Sequence, residues 1–366
     1  MTFHRICITM TKVFITGASG FIAQHIVKLL VSKGYEVIGT VRSSAKGAQL
    51  SQQAEKTQIN NNKSDPNVTS GSFTYVVVPD IAAPNAFDKA LEQHPDITYL
   101  IHTASPFTYD TTDPENDLVL PAINGTRNIL ESATNNCRSL KKIVLTSSDA
   151  AIYSNIAERN NQLSFNEESW NDVKYEDAIK DAVGGYYGAK SFAEKLAWDF
   201  VDEQKPNWDL VAVNPSYVFG PQAYTCDPRH LNTSNALIGD LLEKKEGRGS
   251  SEFENEIGGY IDVRDVAQAH VYAMEDVDKK CIGKRLFLNN GQFSVQMMLD
   301  VINDKFPELG LIKGSPGSGV NDIKVLAKVD NSATKTILPW QFMKLDEIVV
   351  DTVQQILDYQ NVKNVL

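Results

Sequence analysis

The sequence is poor in cysteine, with four in 366 residues (Cys7, Cys137, Cys226, Cys281) and no CxxC pair among them. That excludes a zinc ribbon and a disulfide framework, and it predicts reduced thiols in a cytoplasmic protein. The Asn-x-Ser/Thr matches at Asn62, Asn67, Asn124 and Asn232 then carry no meaning, because glycosylation needs a secretory route. The six histidines (His4, His25, His94, His102, His230, His270) form no HxxxH or other ligand cluster, so no metal is expected. No apolar run approaches the ~18 residues that span a bilayer. The N-terminal stretch MTFHRICITM is too short and too interrupted for a signal peptide. Excess positive charge is also missing. The net charge of −11 disfavours nucleic acid and anionic membrane surfaces as partners, while leaving room for a local basic pocket.

What is present is a soluble composition, 42% hydrophobic and 22% charged, in a chain long enough for one large domain or two ordinary ones. The first half alternates β-rich runs with helical patterns. KVFIT (12–16), YEVIGTV (35–41), FTYVVVPDI (73–81), TYLIHTAS (98–105), KKIVLTSS (141–148) and DLVAVNPS (209–216) read as strands. Helical segments fall at 21–33, near 84–93, at 113–136 and around 185–204. The polar stretch KTQINNNKSDPNVTSGS (56–72) has no periodicity and reads as a surface loop. This alternation predicts an α/β fold, a doubly wound parallel-sheet Rossmann domain that binds ligands at the carboxyl ends of its strands. After Pro215 it loosens, with helices expected at 231–245, 294–305 and 345–359. GGYIDVRDVAQAHVYAM (258–274) reads as a strand and helix returning to the sheet. The expected organisation is an extension at 1–10, a dinucleotide-binding domain at 11–215 completed by part of 258–290, and a smaller, mainly substrate-binding α/β domain at 216–366.

TGASGFIA (16–23) follows the first strand and opens the first helix. Gly17 permits a tight turn and Gly20 lets the backbone approach a pyrophosphate at the helix N-terminus, where free N–H groups point outward. Ala23 stands where a third glycine is common and is small enough for close packing. The second strand ends in TVRSSAKG, with no acid between Thr40 and Gly47. A carboxylate there would hold a ribose 2′-OH; Arg42, Ser43 and Lys46 instead suit a 2′-phosphate. NADP(H) is the expected cofactor.

Delivering a proton to a developing alkoxide needs a group poised for it, and a free tyrosine of pKa ~10 needs a nearby cation. GGYYGAKSF (184–192) offers two tyrosines and a lysine: Lys190 is i+4 from Tyr186 and i+3 from Tyr187. Spacing alone leaves the choice open. Helical phase favours Tyr186, which runs with Ala189, Lys190, Ala193, Ala197 and Phe200, whereas Tyr187 lines up with Glu194 and Trp198. TSSDA (146–150) can supply a serine to polarise a carbonyl. His102 reads as a packed core residue.

TGASGFIA, HTASPF (102–107), VLTSS (144–148), YYGAK (186–190) and NPSYVFGPQ (214–222) occur together and in order, and the chain resembles an extended short-chain dehydrogenase/reductase. GFIAQHIV (20–27), FNEESW (165–170), HLNTS (230–234) and GGYIDVRDVA (258–267) make it similar to the yeast NADPH-dependent methylglyoxal and aldehyde/ketone reductases, relatives of plant dihydroflavonol reductases. The resemblance implies a Ser148, Tyr186, Lys190 triad. It implies NADP held by Gly17, Ala18, Ser19, Gly20, Phe21, Ile22, Arg42, Lys46, Asp80, Ile81, Thr103, Tyr186, Lys190, Pro215, Val218 and Ser234. It implies substrate against Phe107, Asp149, Tyr153 and Tyr217. Asp149 departs from the pattern, since close relatives often carry an aromatic there; the 59–72 insertion and the N-terminal extension also depart from it. The expected activity is NADPH-dependent reduction of small aldehydes, ketones or α-dicarbonyls by a monomer or homodimer. A dihydroflavonol- or hydroxysteroid-type oxidoreductase would differ only in pocket shape. A non-catalytic NADP sensor would be expected to lose the tyrosine or the lysine, and here both are kept.

Overall fold

The computed structural model describes residues 10–64, 71–224, 227–247 and 252–365. Strands β1 (Lys12–Thr16), β2 (Glu36–Val41), β3 (Ser72–Val77), β4 (Tyr99–His102), β5 (Lys142–Thr146) and β6 (Asp209–Pro215) all lie in one parallel sheet. Helices α1 (Phe21–Ser32), α2 (Ser44–Ser64), α3 (Leu120–Asn136) and α4 (Ala182–Gln204) cross over between them. The chain returns after β7 (Tyr217–Phe219), α5 (Thr233–Glu243), β8 (Ile257–Asp262) and α6 (Val263–Glu275) to add β9 (Arg285–Leu288) at the sheet edge. The order is β9-β6-β5-β4-β1-β2-β3, so the direction of winding reverses beside β1. Ligands bind at such a switch point.

Burial on both faces explains the near-continuous apolar strands. In β1, Val13 and Ile15 join α1 and α6 residues such as Ile26, Leu30 and Val266 on one side. Phe14 joins Ile129, Leu130 and Ala197 of α3 and α4 on the other. A third core gathers Phe219, Tyr260 and Phe293 with Leu241, Met298, Ile348 and Val353, which come from α5, β7, β8, β10 (Gln292–Ser294), α7 (Val295–Lys305) and α8 (Leu345–Val365). Among the described residues no helix is long and apolar enough to cross a membrane.

Three expectations need correction. The polar stretch at 56–72 is not wholly a loop, because α2 continues through Ser64: a helix favoured by the Ala, Gln, Glu and Lys of 45–56 runs on into an Asn-rich end of lower propensity. Residues 65–70 of that stretch, and 1–9 of the extension, lie outside the described residues. The strand at 257–262 does not enter the main sheet: β8 pairs with β7 and β10, and the returning strand is β9. Finally, Glu194, grouped with Tyr187 off the inward stripe of α4, is 1% exposed. α4 is buried on more than one side, because Gly185 and Gly188 leave no room for a Cβ against Pro114 and Ala178, so a single inward stripe underestimates its contacts.

Candidate active site

The turn between β1 and α1 is built for close backbone approach. Gly17 has φ +66°, and a Cβ there would lie 3.0 Å from the Ala104 Cα. Its N–H donates to the Thr40 hydroxyl at 3.0 Å, which ties the turn to the end of β2. Gly20 is the extended N-cap of α1, is exposed, and gives the helix no side-chain cap. The first N–H groups of the helix are therefore open to an anion. Beneath them, the Thr16 hydroxyl accepts the Thr103 and Ala104 N–H groups at 3.1 Å each, so its own proton goes to His102 Nδ1 at 2.7 Å. Burial pushes the His102 pKa down to about 3, so the ring is a neutral packing element.

Arg42 and Lys46 follow the end of β2 and are exposed. Lys46 lines a cleft with Ser19, Phe21, Gln24 and Gln53. Asp80, just beyond β3, is exposed and caps the next turn through the Ala82 N–H at 2.8 Å. The Ile81 side chain packs over Gly125 of α3, while its carbonyl accepts from Asn128.

A cavity of about 340 Å³ opens at the strand ends. Its walls bring together thirteen of the residues expected from sequence, Gly20, Phe21, Ile22, Thr103, Phe107, Ser148, Asp149, Tyr186, Lys190, Pro215, Tyr217, Val218 and Ser234. Gly17 and Ala18 lie behind this wall in the turn, and Ser19 faces the Lys46 cleft. Tyr153 is the exception among the expected substrate residues. It is 3% exposed, packs against Phe165 and Phe287, and does not line the cavity. Its hydroxyl is drawn inward to Asp149 Oδ2 at 2.7 Å.

The hydroxyls of the tyrosine pair go to different partners. Tyr186 donates to Ser148 Oγ at 3.1 Å. Tyr187, which also lines the cavity, donates to Glu158 Oε2 at 3.3 Å, and its ring stands edge-on to Tyr186 at 6.0 Å. Phe107 and Tyr109 also meet Tyr186 edge-on, at 5.1 and 6.1 Å, so aromatic rings enclose the phenol. Its pKa is not lowered as the Tyr-Lys spacing leads one to expect. Burial drives it upward, and the Ser148 hydrogen bond opposes this only in part. The phenol is therefore held protonated, as a donor must be. Burial lowers the Lys190 pKa to about 8, against attraction from Glu194, so the ammonium is still charged near neutrality.

Asp149 also lines the cavity. Ser148 donates to Oδ1 at 2.9 Å while accepting the Ala150 N–H at 3.2 Å. Burial raises the Asp149 pKa, with the Tyr153, Ser148 and Ser216 hydrogen bonds opposing. Glu158, buried behind Tyr187, is pushed up to about 8 by burial and by the Asp149 charge.

Sequence reasoning missed Tyr109 and Ser216 in the wall, and the polar cluster behind Ser148. There Glu194 receives Ser147 Oγ at 2.5 Å, Asn214 Nδ2 at 2.7 Å, Trp198 Nε1 at 3.1 Å and Arg285 Nε at 2.6 Å. The available signal was a glutamate at i+4 from the lysine. Among the described residues no cluster of three metal-ligating side chains occurs.

Comparison with known proteins agrees with this geometry. Residues 13–286 match the family model described as the NAD dependent epimerase/dehydratase family. The chain is 42% identical over 356 residues to the NADPH-dependent methylglyoxal reductase of Saccharomyces cerevisiae, covering 95% of this chain and 99% of that one. It is 37% identical over 350 residues to a ketoreductase of Aspergillus niger, covering 95% and 98%. The crystal structure of the yeast methylglyoxal/isovaleraldehyde reductase complexed with NADPH superposes with a TM-score of 0.85 at 40% identity, over 96% of this chain and 99% of that one. The chain belongs to the NAD dependent epimerase/dehydratase family, as an extended short-chain dehydrogenase/reductase.

Proposed function

We propose that this protein reduces small aldehydes, ketones or α-dicarbonyls to alcohols with hydride from NADPH, with Tyr186 as the proton donor. The observation that carries the reading is the Tyr186–Ser148 hydrogen bond at 3.1 Å, in one cavity with Lys190 and the uncapped start of α1. The yeast relative's name and its NADPH complex point the same way.

The site fits the cofactor. At Gly17 a Cβ would strike Ala104, and at Gly20 the helix is left uncapped, which together form a cradle for a pyrophosphate. Arg42 and Lys46 stand beyond β2, where a 2′-phosphate is held in this fold, and no acid is there to repel it. Bound NADPH would supply the hydride. When a carbonyl binds, Ser148 would turn its single hydroxyl proton from Asp149 Oδ1 to the carbonyl oxygen and polarise it. Tyr186, kept protonated by its buried setting, hands its proton to the oxygen as negative charge develops there. Lys190, one turn further along α4, is the cation that stabilises the phenolate left behind. Phe107, Tyr109, Tyr187 and Tyr217 exclude water and favour a compact apolar substituent.

Mixing the protein with NADPH and methylglyoxal, then a panel of aldehydes and ketones, while following absorbance of the reduced nicotinamide, tests the reading. Oxidation with at least one carbonyl is expected; none across the panel refutes it.

A further inference from the structure

We infer that Glu194 is a positioning residue of the proposed reductase site: one carboxylate fixes the main chain of Ser148 and supplies the counter-charge to the Lys190 ammonium. The inference rests on the reductase reading above for its catalytic meaning, though not for its geometry.

Ser148 is anchored on two sides, and both anchors end on Glu194. The hydroxyl of the preceding residue, Ser147, donates to Glu194 Oε2 at 2.5 Å. The Ser148 carbonyl accepts from Asn214 Nδ2 at 3.0 Å, and the same amide nitrogen reaches Glu194 Oε2 at 2.7 Å. The other oxygen receives Trp198 Nε1 and Arg285 Nε. Every neighbour of the carboxylate is a donor, so a glutamine of the same shape would turn an N–H₂ group against at least one of them. A carboxylate is needed for all the bonds to form at once.

Glu194 lies at i+4 from Lys190, so the two share a face of α4. The groups around the ammonium offer little else. Tyr186 is on its own helix and is a neutral phenol. Ser148 and Asp149, just beyond β5, line the same cavity, and Asp149 is engaged by Ser148 and Tyr153. His102 of β4 is neutral. Arg285 of β9 lies behind Glu194, and its charge is shared with the carbonyls of Ala151, Glu167 and Ser169 and with the Trp170 ring at 3.8 Å. Attraction from Glu194 is what opposes the loss of the Lys190 charge on burial.

The test compares the full-length protein with Glu194→Gln and Ser147→Ala. The titration of isotopically methylated Lys190, read by NMR, needs no turnover. Glu194→Gln is expected to move it downward by about half a pH unit, and an unmoved titration overturns the charge role. In turnover with NADPH and methylglyoxal, the alkaline limb of kcat/KM should move with it. Ser147→Ala keeps the carboxylate, so the limb should stay in place while kcat falls by about tenfold, with the KM for NADPH little changed. An unchanged kcat in Ser147→Ala overturns the positioning role, including where Glu194→Gln does not fold. A wild-type protein that oxidises no NADPH refutes the reductase reading instead, and the NMR titration still decides the charge role.

Discussion

Arg285→Met probes the ion pair that ties β9 to the site. Arg285 and Glu194 are 9% and 1% exposed, with Nε to Oε1 at 2.6 Å and Nη2 to Oε2 at 3.3 Å. Methionine matches much of the stem's volume and can keep contact with Trp170, so the packing change is small. The guanidinium's departure leaves a buried carboxylate whose remaining donors among the described residues are Ser147, Asn214 and Trp198, and it frees the carbonyls of Glu167 and Ser169, while that of Ala151 keeps the Asn171 N–H at 3.0 Å. Breaking one partner of a buried pair typically costs ~3–5 kcal/mol. The three retained donors place this case near ~3 kcal/mol, since each hydrogen bond to a charged group contributes ~1.5–3 kcal/mol. Adding Glu194→Gln removes the stranded charge, so the double variant should cost less than the sum of the singles by ~1–3 kcal/mol. Equilibrium urea unfolding followed by tryptophan fluorescence measures all three variants, with Trp170 and Trp198 beside the pair as reporters. A cost below about 1 kcal/mol for Arg285→Met, or strictly additive singles, would refute the reasoning.

Arg42→Asp should raise the KM for NADPH by about two orders of magnitude, the equivalent of losing a charge-assisted contact of ~3 kcal/mol, while the KM for NADH changes little; steady-state kinetics with both cofactors checks this, and equal effects sink the NADP assignment. Glu158 is raised to about 8 in the folded state, above an unfolded value of ~4.3. Its contribution to stability is therefore fully present below the unfolded value and is lost as pH rises through 8. Glu158→Gln should gain on the wild type in urea unfolding as pH goes from about 5 to about 8, by a few kcal/mol at most; a pH-independent difference contradicts the burial argument.

Much of the frame was legible because local signals and tertiary demands coincide there. KVFIT, the glycine turn and YEVIGTV sit where strand propensity, turn chemistry and two-sided burial agree. The same holds for Tyr186, Lys190 and Ser148, which family pattern and geometry place together. What was not legible depends on partners far away in sequence. Glu194 groups with Tyr187 rather than with the Tyr186 stripe on a helical wheel, yet it is buried, and Arg285, 91 residues on, pairs with it. Tyr153 was expected at the substrate wall from the family resemblance, but its hydroxyl is tied to Asp149 and its ring packs against Phe165 and Phe287. The tyrosine's pKa runs against the simple Tyr-Lys argument because the phenol is buried among Phe107 and Tyr109, and desolvation is the largest influence on it. The helix through Ser64 escaped because propensity without an apolar stripe is easily read as loop.

The central claim is that the proton comes from Tyr186 and not from its neighbour. Purified Tyr186→Phe and Tyr187→Phe should each be assayed for NADPH-dependent carbonyl reduction, with NADPH binding measured by nucleotide fluorescence. Tyr186→Phe is predicted to lose about a hundredfold or more in kcat, the scale of general-acid catalysis, with NADPH affinity largely kept, and Tyr187→Phe to retain most turnover. Loss of turnover in Tyr187→Phe with Tyr186→Phe still active would contradict the account.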